Sequence, residues 1–266
     1  LIVILCLALL PAALAEPIAN VGALKGPTAM GMVQLMDEAE NGDLKDAGYQ
    51  FDIAASADLV TPALVQGEAD IAALPANMAS VIYNNTEGQV QVLGINTLGV
   101  LYIVDTNGEV ASVEDLKDKT IYASGKGATP EYALDYILRG NGIDPETDIT
   151  LEWKSEHAEC LAALLEDPEG IAMLPQPFVT TAQMKNDSIR VALDLTEEWD
   201  KLQEGKDNVS VLLTGVTVVR TAFAQEHPEE VAAFMEAYAA SVEFVNANTE
   251  EAAALVGAYD IVPEAV

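Results

Sequence analysis

Two lysines stand at matched turns where an anion would be held. Lys25-Gly26-Pro27-Thr28 and Lys126-Gly127-Ala128-Thr129 each follow a short apolar run and precede a helical pattern, and Gly125 extends the second turn. A helix start exposes unpaired N–H groups and about half a positive charge, which suits an anion. A lysine there opposes the dipole, at a cost of roughly 0.3–1 kcal/mol when exposed, and a bound anion reverses that sign. The chain has only 12 Lys and Arg, so two at matched turns are informative. The alternative is that the glycines only make tight turns and the lysines point into water; both readings stay open. Thr28 and Thr129 offer hydroxyls, and Asn77 and Gln176 offer amides after Leu-Pro turns ending at Pro75 and Pro175. Ser56 opens a helix and serves either as its cap or as a ligand contact. Tyr102 and Tyr122 could stack on a flat ligand, although a strand tyrosine is more often core. Met30 and Met32 divide between core and cleft wall.

Catalytic patterns are mostly missing. Ser124-Gly125-Lys126-Gly127 lacks the hydroxyl residue after Gly-Lys and the earlier glycine of a phosphate loop. His157 and His227 are far apart in sequence and lack metal-ligand spacing, and no Gly-x-Ser-x-Gly occurs. His157 reads as a polar-face residue, His227 as a helix-start residue and Cys160 as a small core residue. The expectation is a binding protein with no cofactor and no metal, rather than an enzyme.

The charge is lopsided, with 43 Asp and Glu against the 12 basic residues for a formal net of −31. Such a surface repels phosphate backbones, and no basic stripe offsets it, so nucleic acid is excluded as a partner. Half the residues are hydrophobic, enough for a sizeable core. Leu1 to Leu10 is apolar and Pro11 precedes Ala13-Leu14-Ala15, small residues where signal peptidase cuts. Residues 1–15 therefore read as a signal peptide cut short at its start, and the mature chain as exported. Cys6 as a lipid anchor is disfavoured by the bulky Leu5 before it.

Strand and helix signals alternate through the mature chain: strands at Ile18–Leu24, Phe51–Ala55 and Ile71–Leu74, helices at Thr28–Ala39 and Leu59–Gln66. That is an α/β pattern with mostly parallel sheets flanked by helices. The pattern repeats. Ile71-Ala72-Ala73-Leu74-Pro75 is echoed by Ile171-Ala172-Met173-Leu174-Pro175, and lysine to isoleucine spans 46 positions in one half and 45 in the other. Two similar lobes follow, each presenting a glycine turn and a Leu-Pro turn at the carboxyl ends of its strands, where open α/β sheets bind ligands. Leu98–Val104 and Val211–Val219 read as the crossings between lobes, with lobe one at 16–98 and 219–266 and lobe two at 99–218. His227-Pro228-Glu229-Glu230 and Asn248-Thr249-Glu250-Glu251 start two further helices.

The Lys-Gly-Pro-Thr helix start, Gln66-Gly67-Glu68-Ala69-Asp70-Ile71-Ala72, Ser112-Val113-Glu114-Asp115-Leu116-Lys117-Asp118-Lys119-Thr120-Ile121 and His227-Pro228-Glu229-Glu230-Val231 resemble the nitrate/sulfonate/taurine-type periplasmic binding proteins, which are related to a thiamine-pyrimidine synthase family. The resemblance runs from Ile18 to Val262. It implies a two-lobed Venus-flytrap fold with two hinge crossings, closing over a small molecule, as a monomer, and delivering it to an ABC permease. Its phrases identify the superfamily well and the substrate badly. The ligand reads as a sulfonate-like anion, or alternatively as a thiamine pyrimidine precursor or another flat heterocycle. An enzyme on the same fold, of the pyrimidine synthase or dehydratase type, is the other alternative, and a receptor's ligand-sensing domain a third. The synthases' cysteine-rich signature and essential histidine have no counterpart at a corresponding place here.

Overall fold

The computed structural model describes residues 19–42, 44 and 48–262. The leader expected at residues 1–15, Cys6 included, lies outside them. In the first lobe the chain forms β1 (Ala19–Leu24), α1 (Pro27–Met30), α2 (Val33–Asn41), β2 (Tyr49–Ala54), α3 (Ala57–Gln66), β3 (Ile71–Pro75), α4 (Ala76–Asn85) and β4 (Val90–Leu98). It then builds the second lobe from β5 (Leu101–Asp105), β6 (Thr120–Ser124), α5 (Thr129–Gly140), β7 (Thr150–Lys154), α6 (His157–Glu166), β8 (Ile171–Pro175), α7 (Phe178–Lys185), β9 (Arg190–Asp194) and α8 (Leu195–Lys201). The return brings β10 (Leu213–Arg220), α9 (Thr221–Glu226), α10 (Pro228–Ala247) and α11 (Thr249–Ala258).

The sheets run β2-β1-β3-β10-β4 and β7-β6-β8-β5-β9, the same order once each half's strands are matched. In each, one strand is antiparallel, β10 or β5, and it is the strand that enters from the other lobe. Beside these lie β3 and β8, the repeated Ile-Ala-x-Leu-Pro segments, buried at all five positions. Helices cover both sheet faces, so a continuous apolar run is what such a central strand requires.

Three boundaries differ from the sequence reading. The helix expected over Thr28–Ala39 is two helices, broken at Gly31. There the buried Ser241 hydroxyl of α10 donates to Gly31 O at 2.8 Å and accepts from Leu35 N–H at 3.2 Å. A tertiary side chain thus stands in for the helical hydrogen bond from Leu35 N–H to Gly31 O. The apolar run Leu98–Val104 is cut by Gly99 and Val100, both left-handed at φ 63° and 69°, and these two residues carry the crossing. The second crossing ends by Leu213, because all of β10 pairs with β3 and β4. β10 thus joins the first sheet from Leu213 onward, and crossing and strand share one apolar, β-branched stretch of sequence.

Gly215 marks where β10 passes the cleft edge of lobe one. A Cβ there would be driven into Asn96 Oδ1 and would lie 2.9 Å from both Thr28 Cγ2 and Thr97 Oγ1. Overpacking of that kind costs about 1–3 kcal/mol. Gly215→Ala is expected to lower the denaturant midpoint accordingly with an unchanged slope, read by chemical unfolding.

Candidate functional site

The turns leaving the parallel strands of both sheets face one another across a cleft. Between them lies a cavity of about 80 Å³. Leu24, Pro27, Thr28 and Pro75 line it from lobe one, and Leu101, Pro130, His157 and Pro175 from lobe two, with Val100 of the crossing between. Thr97 and Thr214 add hydroxyls on the lobe-one side, though the Thr214 hydroxyl donates to Thr97 O at 3.1 Å. A second cavity of about 240 Å³ adjoins it and shares Lys25 and His157. The first cavity is thus largely apolar, as in small-molecule sites generally, and the second brings Lys25, Glu156, His157 and Asp260 together.

The lobes meet beside this space through uncharged groups. Asn77, at the start of α4, donates from Nδ2 to Gly127 O at 3.0 Å and from its backbone N–H to Thr129 Oγ1 at 3.3 Å. Thr129 Oγ1 donates in turn to Asn77 Oδ1 at 3.1 Å. Three residues expected to touch ligand are thereby brought together, and they hold each other.

His157, which opens α6, is the residue sequence reasoning misjudged. It lies on the cleft wall rather than on a polar outer face. Its Nδ1 is 2.7 Å from the Oγ of buried Ser124, and its ring centroid is 5.3 Å from that of Phe178. Burial pushes the imidazole down to about 4, so it is neutral at physiological pH. Nε2 makes no hydrogen bond among the described residues, and the ring borders both cavities. Its position directly after β7, at the same strand edge as the matched turns, was the available signal.

Residues 33–202 match the family model described as the phosphonate-type periplasmic substrate-binding protein of ABC transporters. The chain belongs to this family. No curated protein matches it in sequence. The fold of this binding protein is shared with an ABC transporter structure from Parabacteroides distasonis (TM-score 0.72, 23% identity), covering 94% of this chain and 82% of that one. It is shared too with the periplasmic aliphatic sulphonate-binding protein SsuA of Escherichia coli (TM-score 0.71, 16% identity, 92% and 79% covered). The periplasmic nitrate-binding protein NrtA of Synechocystis PCC 6803 is similar at TM-score 0.69 and 15% identity, with 91% and 66% covered. The two-lobed fold and the family resemblance expected from the sequence are confirmed.

The remaining candidates in this binding protein divide. Lys25 lines both cavities and pairs with Asp260. Lys126 is exposed and lines neither cavity, so the two matched lysines are not equivalent. Gly26, Gly125 and Gly127 take left-handed φ of 96°, 80° and 76°, which explains glycine at these turns. Thr28 donates its hydroxyl to Leu24 O at 3.1 Å, and Ala128 is the buried cap position of α5. Gln176 Oε1 accepts from the Thr180 hydroxyl at 2.9 Å, inside its own helix turn. Ser56 is the cap position of α3 but makes no side-chain cap bond. Tyr102 lines neither cavity, and Tyr122 hydrogen-bonds Asp167 at 3.0 Å with Lys154 over its ring, on the outer side of lobe two. Cys160 is buried in the core, and burial raises its thiol to about 11.

The neutral imidazole has a stability consequence. Between about 6.5 and 4 the unfolded chain binds a proton that the folded imidazole refuses. The stabilisation is therefore complete above 6.5 and lost as pH falls towards 4. His157→Gln is expected to show a smaller fall in melting temperature across that window than the wild type, measured by thermal unfolding at stepped pH.

Proposed function

We propose that this chain is the extracytoplasmic solute-binding component of an ABC importer, working as a monomer that closes over a small oxyanion of sulfonate-like type and delivers it to the permease. The observation that carries this is the convergence of Lys25 from lobe one and His157 from lobe two on the same cavities. In the tautomer in which Ser124 donates to Nδ1, the His157 ring presents N–H at Nε2, a donor that adds no charge. An ammonium and a neutral N–H, supplied from opposite sides, suit an acid group that bridges the lobes. The apolar wall of Leu24, Pro27, Pro75, Leu101 and Pro130 suits a short alkyl body attached to it.

Binding to one lobe and bending at Gly99–Val100 would bring His157 onto the ligand, while Asn77 and Thr129 engage beside it. A ligand that touches both lobes binds the closed form better than the open one, which is all that closure requires. The net charge of −31 does not oppose this, since charges beyond about 8 Å are largely screened at physiological ionic strength. An imidazole at about 4 is a poor proton acceptor at neutral pH, which favours binding over catalysis by the Ser124–His157 pair. A flat heterocycle would rest its weight on Tyr102 and Tyr122, neither of which borders the cavities.

A thermal-shift screen with alkylsulfonates, phosphonates, nitrate and aminopyrimidines tests the reading. At a hundredfold excess over its dissociation constant a ligand stabilises by about 2.7 kcal/mol. An anion is expected to give the large shift; Lys25→Met is expected to weaken it by about tenfold or more, and Lys126→Met by less than about twofold. A shift with an aminopyrimidine and none with any anion would overturn the oxyanion assignment.

A further inference from the structure

Both charges of the Lys25–Asp260 pair sit where their own backbone disfavours them. Asp260 follows α11 with a left-handed backbone at φ 51°. Around it Ile261 N–H donates to Val256 O at 3.0 Å and Asp260 N–H to Gly257 O at 3.1 Å. This is a Schellman-type helix ending, whose left-handed position ordinarily goes to glycine. An aspartate there adds steric cost and sets a negative charge at the negative end of the helix dipole. Lys25 is the mirror case, a positive charge immediately ahead of the start of α1. A backbone hydrogen bond from Gly26 N–H to Ile261 O, 2.8 Å long, fixes the two segments side by side.

The pair also occupies a telling place. Lys25 and Asp260 form the lobe-one wall of the 240 Å³ cavity, opposite Glu156, His157 and Phe178 of lobe two. Lys25 is the one cationic side chain on that wall. Its side chain is 34% exposed against 69% for Asp260, so the carboxylate approaches a more enclosed ammonium from the solvent side.

We propose that Asp260 is an internal stand-in for the acid group of the ligand, displaced from Lys25 when the ligand binds. This rests on the oxyanion reading above. Displacement exchanges one carboxylate–ammonium pair for another, so Lys25 keeps a partner in both states. A neutral solute cannot make that exchange and is refused. The apparent affinity for acids is lowered by the fraction of molecules in which Asp260 holds the lysine. A released Asp260 turns into water, with no rearrangement of lobe two.

Calorimetric titration of ethanesulfonate, methylphosphonate and nitrate into wild type, Asp260→Asn, Lys25→Met and the double variant tests this. Asparagine tolerates the left-handed backbone, and the site is exposed, so the fold is retained; matching melting temperatures check it. At least one acid is expected to bind Asp260→Asn about two- to fivefold more tightly than wild type, in keeping with a partly exposed ion pair. The gain is expected to vanish on the Lys25→Met background. If wild type binds an acid and Asp260→Asn binds it equally or more weakly, the stand-in role is overturned and the oxyanion cleft survives. If neither protein binds any of the three acids, both fail together.

Discussion

The architecture turns on where the chain changes lobes. Each crossing delivers a strand, β5 or β10, into the interior of the receiving sheet rather than onto its edge. There it pairs antiparallel with β8 or β3, and the register sets Leu101 against Pro175 and Gly215 against Pro75. The connection is therefore anchored at the centre of both sheets, directly beneath the Leu-Pro turns that reach the cleft. Any bending at Gly99 and Val100 is carried straight to those turns, because little compliant structure lies between. The apolar packing is continuous as well. One buried cluster takes in Val21 and Ala73 of the first lobe and Leu174 and Phe178 of the second.

What was legible in the sequence was the part governed by pattern. The duplicated Ile-Ala-x-Leu-Pro run needs burial on both faces, and that requirement shows in composition alone. The glycine turns were legible for a similar reason, since Gly26, Gly125 and Gly127 hold backbone angles that side chains avoid. Misreadings came from contacts with remote partners. No local signal announces that Ser241 will enter the helix at Gly31 from some 210 residues away, or that Asp260 will reach Lys25. His157 carries no motif of its own, and only its place after β7 marks it as a cleft residue. Lys25 and Lys126 looked alike because the repeat is a property of the backbone, and their surroundings have since diverged.

The scarcity of cations sharpens that divergence. Arg220 is committed to Asp70, and Arg190 to the fully buried Asp105, both at the strand ends away from the cleft. Among the described residues Lys25 is the one cationic side chain bordering the two cleft cavities, so most of the positive field available to a solute there comes from a single group. The prolines on the wall remove N–H donors that would otherwise add to it. Under the proposed oxyanion reading, selectivity would depend on the neighbours of one amine rather than on a ring of charges.

The closing contact between the lobes is built differently from the grip on the solute. Asn77, Thr129 and the Gly127 carbonyl carry no net charge, so dissolved ions scarcely alter their attraction. On the oxyanion reading proposed above, recognition at Lys25 would be ionic and would weaken as salt rises. On that reading the contact between the lobes would hold steady as ionic strength changes while the affinity for the solute shifts, so the two could vary independently without a change to either set of residues.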